Sequence, residues 1–286
     1  MVRFSGLAAR RGAAVPLALA FAGASLLAAP ARAEQFFVRY AISLLGVSLG
    51  VGTLSGKVDA SSYTLEATAK LSGVASIVSN AKGAATASGL FLQGRVAPNG
   101  FATTSTNSQA TRTIRIAMHA GDVRASEISP PFESPPDRIP ITEAQKRGVV
   151  DPLSGMLMPV ALGQPVAGPA GCNRSVPVFD GWTRFDVGLD YSGNREMKLK
   201  GYQGPVAVCG VRYTPISGHR DRPVVKFMAE NREMQSWIAP VGATPYGVPL
   251  YISVKTLIGM LTLEATDFTV QGGAPLSPQA QNPPGR

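Results

Sequence analysis

Apolar residues alternate with polar or small ones along most of this chain, and that pattern leaves few folds open to it. Phe36, Val38, Tyr40, Ile42 and Leu44 alternate with polar or small neighbours, and Tyr63, Leu65, Ala67, Ala69 and Leu71 alternate with Thr64, Glu66, Thr68 and Lys70. Period two is the mark of a strand with one buried face. Gly46, Gly50 and Gly52 interrupt the stretch between these runs, where bulges or a close strand crossing are expected. Further runs read as strands near 84–95, 114–118, 123–128, 223–230, 234–239, 248–255 and 260–270. Turns are expected at Pro98-Asn99-Gly100 and Ala120-Gly121-Asp122. Helical spacing is rare: a brief helix is expected at 73–80, and a second where Asp151 caps Pro152 and Pro159 stops it. With about a dozen strands joined by short turns, the chain is predicted to be all-β. The architecture expected is antiparallel, an open or spiral barrel-like sheet with one or two short helices.

The N-terminus follows a different rule. Arg3, Arg10 and Arg11 precede an apolar stretch from Ala13 to Ala29, and Ala31-Arg32-Ala33 has the form of a cleavage site. This is the layout of a secretory signal peptide over residues 1–33, cleaved after Ala33. No other run approaches the roughly 20 apolar residues of a spanning helix, so the processed chain is not expected to cross a membrane by helices. Removing Arg3, Arg10, Arg11 and Arg32 takes the formal charge from +9 to +5. That excess is mild and spread out, compatible with anionic partners, and with no basic cluster nucleic acid is not an expected partner. Residues 34–270 are read as one β-rich domain and residues 271–286 as a disordered tail.

The chain has two cysteines, Cys172 and Cys209. In an oxidising compartment a pair like this is expected to form one disulfide. Between them, Phe185, Val187, Leu189 and Tyr191 mark one strand and Val206, Val208 and Val211 another, with a polar turn between and a bulge expected near Gly210.

Catalytic residue types are scarce. Gly171-Cys172-Asn173-Arg174 is similar to the Gly-Cys-x-Arg of L,D-transpeptidases, but Pro169-Ala170 stand where that motif has a base-bearing Ser-His or Thr-His. Without a base the thiol is not activated. There are only two histidines, His119 and His219, and no phosphate-binding glycine motif or serine-nucleophile elbow. No catalytic residue, metal or cofactor is predicted. The residues singled out as a ligand-binding or structural cluster are Asp180, Trp182 and Arg184, followed by Tyr213, His219 and Arg220. Asp180-Gly181-Trp182 is expected to be a turn with the tryptophan packed beside the disulfide. The His219–Arg222 loop has the composition of an anion-binding or hydrated loop.

Several motifs taken in order carry a resemblance. They are the tyrosine-containing first strand with Leu44-Leu45-Gly46, the Tyr63 strand, Pro98-Asn99-Gly100 after a GLF–GR run, Asp151-Pro152, and VFDGWTRFD with the later GY–C–VRY. Together they resemble domain-of-unknown-function family 3108 over roughly residues 35–270. That resemblance implies export in a Gram-negative bacterium and a β-rich fold, and no reaction. More distantly the chain resembles periplasmic spiral-β cell-envelope-integrity proteins with one internal disulfide. The expectation is a non-catalytic periplasmic envelope protein that binds a lipid, a cell-wall fragment or a partner protein in a barrel-like cleft. The alternatives are an integral outer-membrane β-barrel, or a cell-wall hydrolase or transferase using Asp180, Asp186 and His219.

Overall fold

The computed structural model describes residues 33–72 and 80–272. The N-terminal strands are β1 (Glu34–Leu44), β2 (Val47–Val58), β3 (Ser62–Leu71), β4 (Lys82–Leu92), β5 (Arg95–Thr106), β6 (Thr111–His119) and β7 (Asp122–Ser129). After a long connection come β8 (Met158–Pro159), β9 (Arg174–Phe179), β10 (Arg184–Leu199) and β11 (Tyr202–Ser217). The helix α1 (Pro223–Glu230) precedes β12 (Met234–Pro240), β13 (Tyr246–Thr256) and β14 (Gly259–Gln271).

These strands form one antiparallel sheet in the order β7-β6-β5-β4-β3-β2-β1-β14-β13-β12-β11-β10-β9, with β8 attached to β13. It consists of two meanders whose first and last strands join where β1 pairs β14, from Gln35 opposite Gln271 to Leu44 opposite Leu261. Among the described residues the edge strands β7 and β9 do not pair with each other, so the sheet is not closed and forms an open barrel-like body.

Residues 130–173 connect the two edges and run through the concave side. Val149, Leu153 and Leu157 share one core with Phe36, Val38 and Tyr63 from the sheet. Val149 donates to Gly121 O at the β6–β7 turn (2.8 Å), while Val150 donates to Pro177 O (2.8 Å) and accepts from Phe179 (2.9 Å) on β9. The connection therefore satisfies part of both edges while it plugs the interior.

A second core gathers Met158, Val166, Leu189 and Ile238 around Cys172 and Cys209. The two cysteines are bonded, with Cα atoms 5.6 Å apart and a sequence separation of 37. A loop of that size contributes about 4 kcal/mol in the chain-entropy model. The bond fastens the end of the connection to β11.

The outer face of the N-terminal meander is polar. Thr53–Thr68 (2.7 Å), Thr104–Thr113 (3.1 Å) and Thr106–Thr111 (2.9 Å) form hydroxyl pairs across neighbouring strands.

Five local expectations fail. Pro98-Asn99-Gly100 is not a turn. It lies within β5, where Ser88 faces Gly100 and Gly89 faces Pro98, leaving Asn99 as a bulge. The turn is Gln93-Gly94, with φ of 52° and 72°, so the mirror-image geometry that a hairpin favours is carried by glutamine in place of the usual Asn or Asp. Residues 223–230 form a helix, because Pro223 starts it and Val225, Met228 and Ala229 recur at helical spacing. Asp151 Oδ1 does accept from the Leu153 and Ser154 amides, but Gly155 and Pro159 limit the helix that follows to a single 3-10 turn, Ser154–Met156.

Finally, β10 runs past Tyr191 through the expected polar turn to Leu199. The bulge falls at Ser192 on β10, where the register shifts between Tyr191 and Gly193, and not at Gly210. Val206 to Cys209 are buried on both faces, and that is why their alternation breaks. The bulge expected among the early glycines is present, with the register shifting between Ile42 and Ser43 opposite Gly50 and Ser48. The leader, the brief helix at 73–80 and the tail fall almost wholly outside the described residues.

Candidate functional site

Side-chain size falls along the inward faces of β2, β3 and β4. From one end of the body to the other, β3 presents Tyr63, Leu65, Ala67 and Ala69, and β4 presents Phe91, Gly89, Ala87, Ala85 and Gly83. On β2 the series is Val58, Gly56, Leu54, Gly52 and Gly50. At the large end the glycines admit rings: a Cβ on Gly56 would lie 2.6 Å from Phe36, and one on Gly89 would meet Tyr63. There Phe91 stacks on Tyr246 at 4.0 Å and lies 5.3 Å from Tyr63. At the small end nothing among the described residues fills the taper, and hollows are left there.

Three adjoining hollows line this open mouth, and Met156 of the connection belongs to all three. One of about 430 Å³ lies between Phe101, Thr103 and Ile114 on the sheet and Phe132 and Trp182 opposite. One of about 290 Å³ is bounded by Ile42, Gly52, Ala67, Ala69, Ala85 and Leu263. The third, about 200 Å³, lies among Val176, Phe185, Val187, Val211 and Ile252. The lining is almost wholly apolar, with Thr103 and Ser236 among its few hydroxyls. A depression of about 370 Å³ on the outer face, between Gln35, Phe37, Lys57 and Glu66, is a groove of the sheet surface by contrast.

Beneath Met156 lies a buried polar set. Asp151 Oδ1 accepts from the N–H groups of Leu153 (3.0 Å) and Ser154 (2.9 Å), and the Tyr63 hydroxyl donates to Ser154 Oγ (2.8 Å). Asp151 and Ser154 are fully enclosed, and Asp151 Oδ2 has no partner among the described residues. Burial pushes the Asp151 carboxyl above its ordinary range and the Tyr63 hydroxyl well up, the latter helped by the Asp151 charge. A serine beside a carboxylate and a phenol has the residue types of a catalytic group, but it is sealed from solvent. Its role in this geometry is to anchor the turn that carries Met156.

The residues singled out from sequence lie beside the mouth and hold the connection across it. Asp180 closes its own turn, accepting from Trp182 N (2.8 Å), Thr183 N (2.6 Å) and Thr183 Oγ1 (2.6 Å). Trp182 is not beside the disulfide. It lies under the Arg138 guanidinium at 3.7 Å and against Phe132 at 4.9 Å, because the β9–β10 turn projects away from the cysteine cluster. Arg138 also donates to Gly218 O (2.9 Å) and Trp182 O (2.5 Å), and the Arg112 guanidinium lies 4.0 Å from the Phe132 ring. The result is a ladder of Arg112, Phe132, Trp182 and Arg138, with the two rings held between two cations. It clamps the proline-rich residues 130–142 over the opening.

Arg184 pairs with Asp186 at 2.6 Å. Tyr213 packs on Phe185 at 5.3 Å, and burial, with the Asp180 charge second, raises its hydroxyl pKa. His219 O accepts from Ile139 N at 2.9 Å, while its enclosed Nδ1 has no partner among the described residues. Arg220 holds Asp137 of the connection at 2.7 Å. The structure thus gathers Asp180, Trp182, Arg184 and Tyr213 on one side of the mouth, and His219 with Arg220 on the adjoining loop. Asp180 and Asp186 are each held in separate local contacts. Among the described residues, no cluster of ligating side chains is suited to a metal ion, and no helix is long and apolar enough to cross a membrane.

Sequence reasoning missed Phe132, Arg138 and Arg112. Phe132 and Arg138 were visible as an aromatic and a cation within a proline-rich run. Nothing local showed what they would meet.

Comparison with curated proteins found no match. Among solved structures, a β-barrel-like protein of domain-of-unknown-function family DUF1849 from Brucella abortus is similar at 8% sequence identity. The similarity covers 84% of this chain and 98% of that one, with a TM-score of 0.45. The family model described as "Protein of unknown function (DUF3108)" matches residues 37–266. With the match running from β1 to β14, this chain belongs to the DUF3108 family.

Proposed function

We propose that this is an exported, non-catalytic protein of the cell envelope whose open end takes up the acyl chain of a lipid. The observation that carries the reading is the apolar mouth around Met156, its hollows of about 200 to 430 Å³ being of the size that holds small ligands. Each methylene withdrawn from water contributes about 0.8 kcal/mol, so a chain of about twelve carbons gains roughly 10 kcal/mol before the costs of binding. A cell-wall fragment would lose hydrogen bonds to water there and find few partners in exchange. The leader-like N-terminus and the disulfide fit an oxidising compartment such as the periplasm. The threonine-rich outer face favours a water-facing wall over the apolar band of a membrane β-barrel.

The test is titration of delipidated protein with a fluorescent fatty acid. Saturable binding with a dissociation constant on the order of micromolar is expected, and Ala85→Trp, which fills the mouth, should abolish it. Protein that takes up neither a fatty-acid nor a phospholipid probe would sink the reading, as would an Ala85→Trp variant that binds as well as the wild type.

A further inference from the structure

Among the described residues, the open end also carries the most exposed apolar side chains that lie together. Leu45 and Val47 at the β1–β2 turn are 68% and 56% exposed, and Leu257 and Ile258 at the β13–β14 turn are 62% and 71% exposed. The two tips are neighbours. Leu45 N donates to Met260 O at 2.9 Å, and the Leu45 side chain lies directly over Gly259. At the other end exposed apolar groups are scattered: Leu162 stands alone, and Leu90 and Leu92, at 39% and 43%, lie along one strand. Single exposed leucines are ordinary, whereas a cluster at a protruding tip marks a contact surface.

Charge identifies the partner. Lys70 on β3 lies directly opposite Lys82 on β4, an arrangement of like charges that destabilises a sheet. Both are exposed, neither has an ion pair among the described residues, and no acidic residue occurs in the sequence between them. Lys70 faces Val51, four residues and roughly 13 Å of strand behind Val47. Lys255, which pairs with Glu233 at 3.4 Å, stands just behind Leu257. Apolar tips in front and lysines a short distance behind match the layering of a bilayer surface, where apolar groups sink roughly 5–10 Å and cations meet lipid phosphates.

We propose that these two hairpin tips dock the protein on the anionic surface of a phospholipid bilayer, bringing the mouth against the lipid. The purpose of docking rests on the acyl-chain reading, while the contact itself rests on the tips and the lysines. Protein expressed from the full sequence is mixed with vesicles rich in phosphatidylglycerol or made of phosphatidylcholine alone, then floated. Intact mass is read first, so that a retained leader is not mistaken for docking. The wild type should float with the phosphatidylglycerol vesicles and release as salt rises. Leu257→Asp with Ile258→Asp should weaken partitioning at least about tenfold, and Lys70→Glu with Lys82→Glu should remove the preference for anionic lipid.

The proposal is overturned if the wild type ignores both vesicles, or if the tip variant floats equally well. It also falls if the wild type is a dimer that the tip variant splits, which would assign the patch to a second copy of this chain. Uptake of a soluble acyl probe separates the two readings: the tip variant should keep it within about twofold, while Ala85→Trp should lose it and still float.

Discussion

The two ends of this body are built from the same strands and have opposite properties. At the closed end Phe36, Tyr63, Leu65 and Val58 are buried to 3% exposure or less, and glycines are spent on letting rings approach the backbone. At the open end the same strand faces present Ala67, Ala69, Ala85 and Gly83, and the described residues leave space beside them. A packed protein interior leaves few voids larger than water, so the two ends differ in packing as well as in side-chain size. The difference teaches that in this fold tight packing and open space are separated along the strand axis. The connecting residues 130–173, with Met156 at their turn, stand at the boundary.

The sharpest test of that separation pairs two leucines. Leu65→Ala, in the closed end, should cost about 3 kcal/mol in urea unfolding, since it empties a fully packed site. Leu263→Ala, half-buried at the mouth, should cost less than about 1.5 kcal/mol. Equal losses would mean that the ends do not differ in packing.

A smaller effect comes from enlarging two alanines on one face of β4. Ala87→Phe should overpack the closed end and destabilise by about 1–3 kcal/mol. Ala85→Phe projects into the mouth and should change stability by less than about 1 kcal/mol while weakening uptake of an acyl probe. If Ala85→Phe is the more damaging to folding, the taper has been misread.

The smallest expected effect is a tilt in the pH dependence of stability, and it probes the boundary. Burial raises the Asp151 carboxyl pKa in the folded state above its unfolded value. The protonated acid is therefore favoured on folding, so its contribution is complete below the unfolded pKa and declines as pH rises through the raised value. Asp151→Asn, which keeps an oxygen for the Leu153 and Ser154 amides, should flatten that decline in denaturant midpoints across the acidic-to-neutral range. An unchanged slope would show that the carboxyl is not held in its neutral form.

Much of the wall was legible from residue order. Phe36 to Leu44 and Tyr63 to Leu71 alternate because one sheet face is buried, and that periodicity survives into the fold. The cysteine pairing was legible too, from count and compartment chemistry. Where a residue type serves two conformations, reading failed. The Gln93-Gly94 turn lacks the usual Asn or Asp, and Val224-Val225 suits a strand until Pro223 sets the backbone for a helix. The site residues Asp180, Trp182 and Arg184 could be marked as unusual, but Trp182 finds Arg138 rather than the disulfide. That pairing depends on where the long connection returns.

The sequence alone determined that this chain is all-β, antiparallel, clipped by Cys172–Cys209 and a member of its family, because alternation, turns and motif order are local quantities. Only the tertiary structure decided that there is a mouth. Tyr40 donates to Pro249 O at 2.6 Å across 209 residues of chain, and β1 closes on β14. Until that pairing forms, nothing distinguishes Ala67 and Ala85 from any other small residues in a strand. Which face becomes concave, and which end stays empty, depends on curvature and on the path of residues 130–173, and those are set by contacts between residues far apart in the chain.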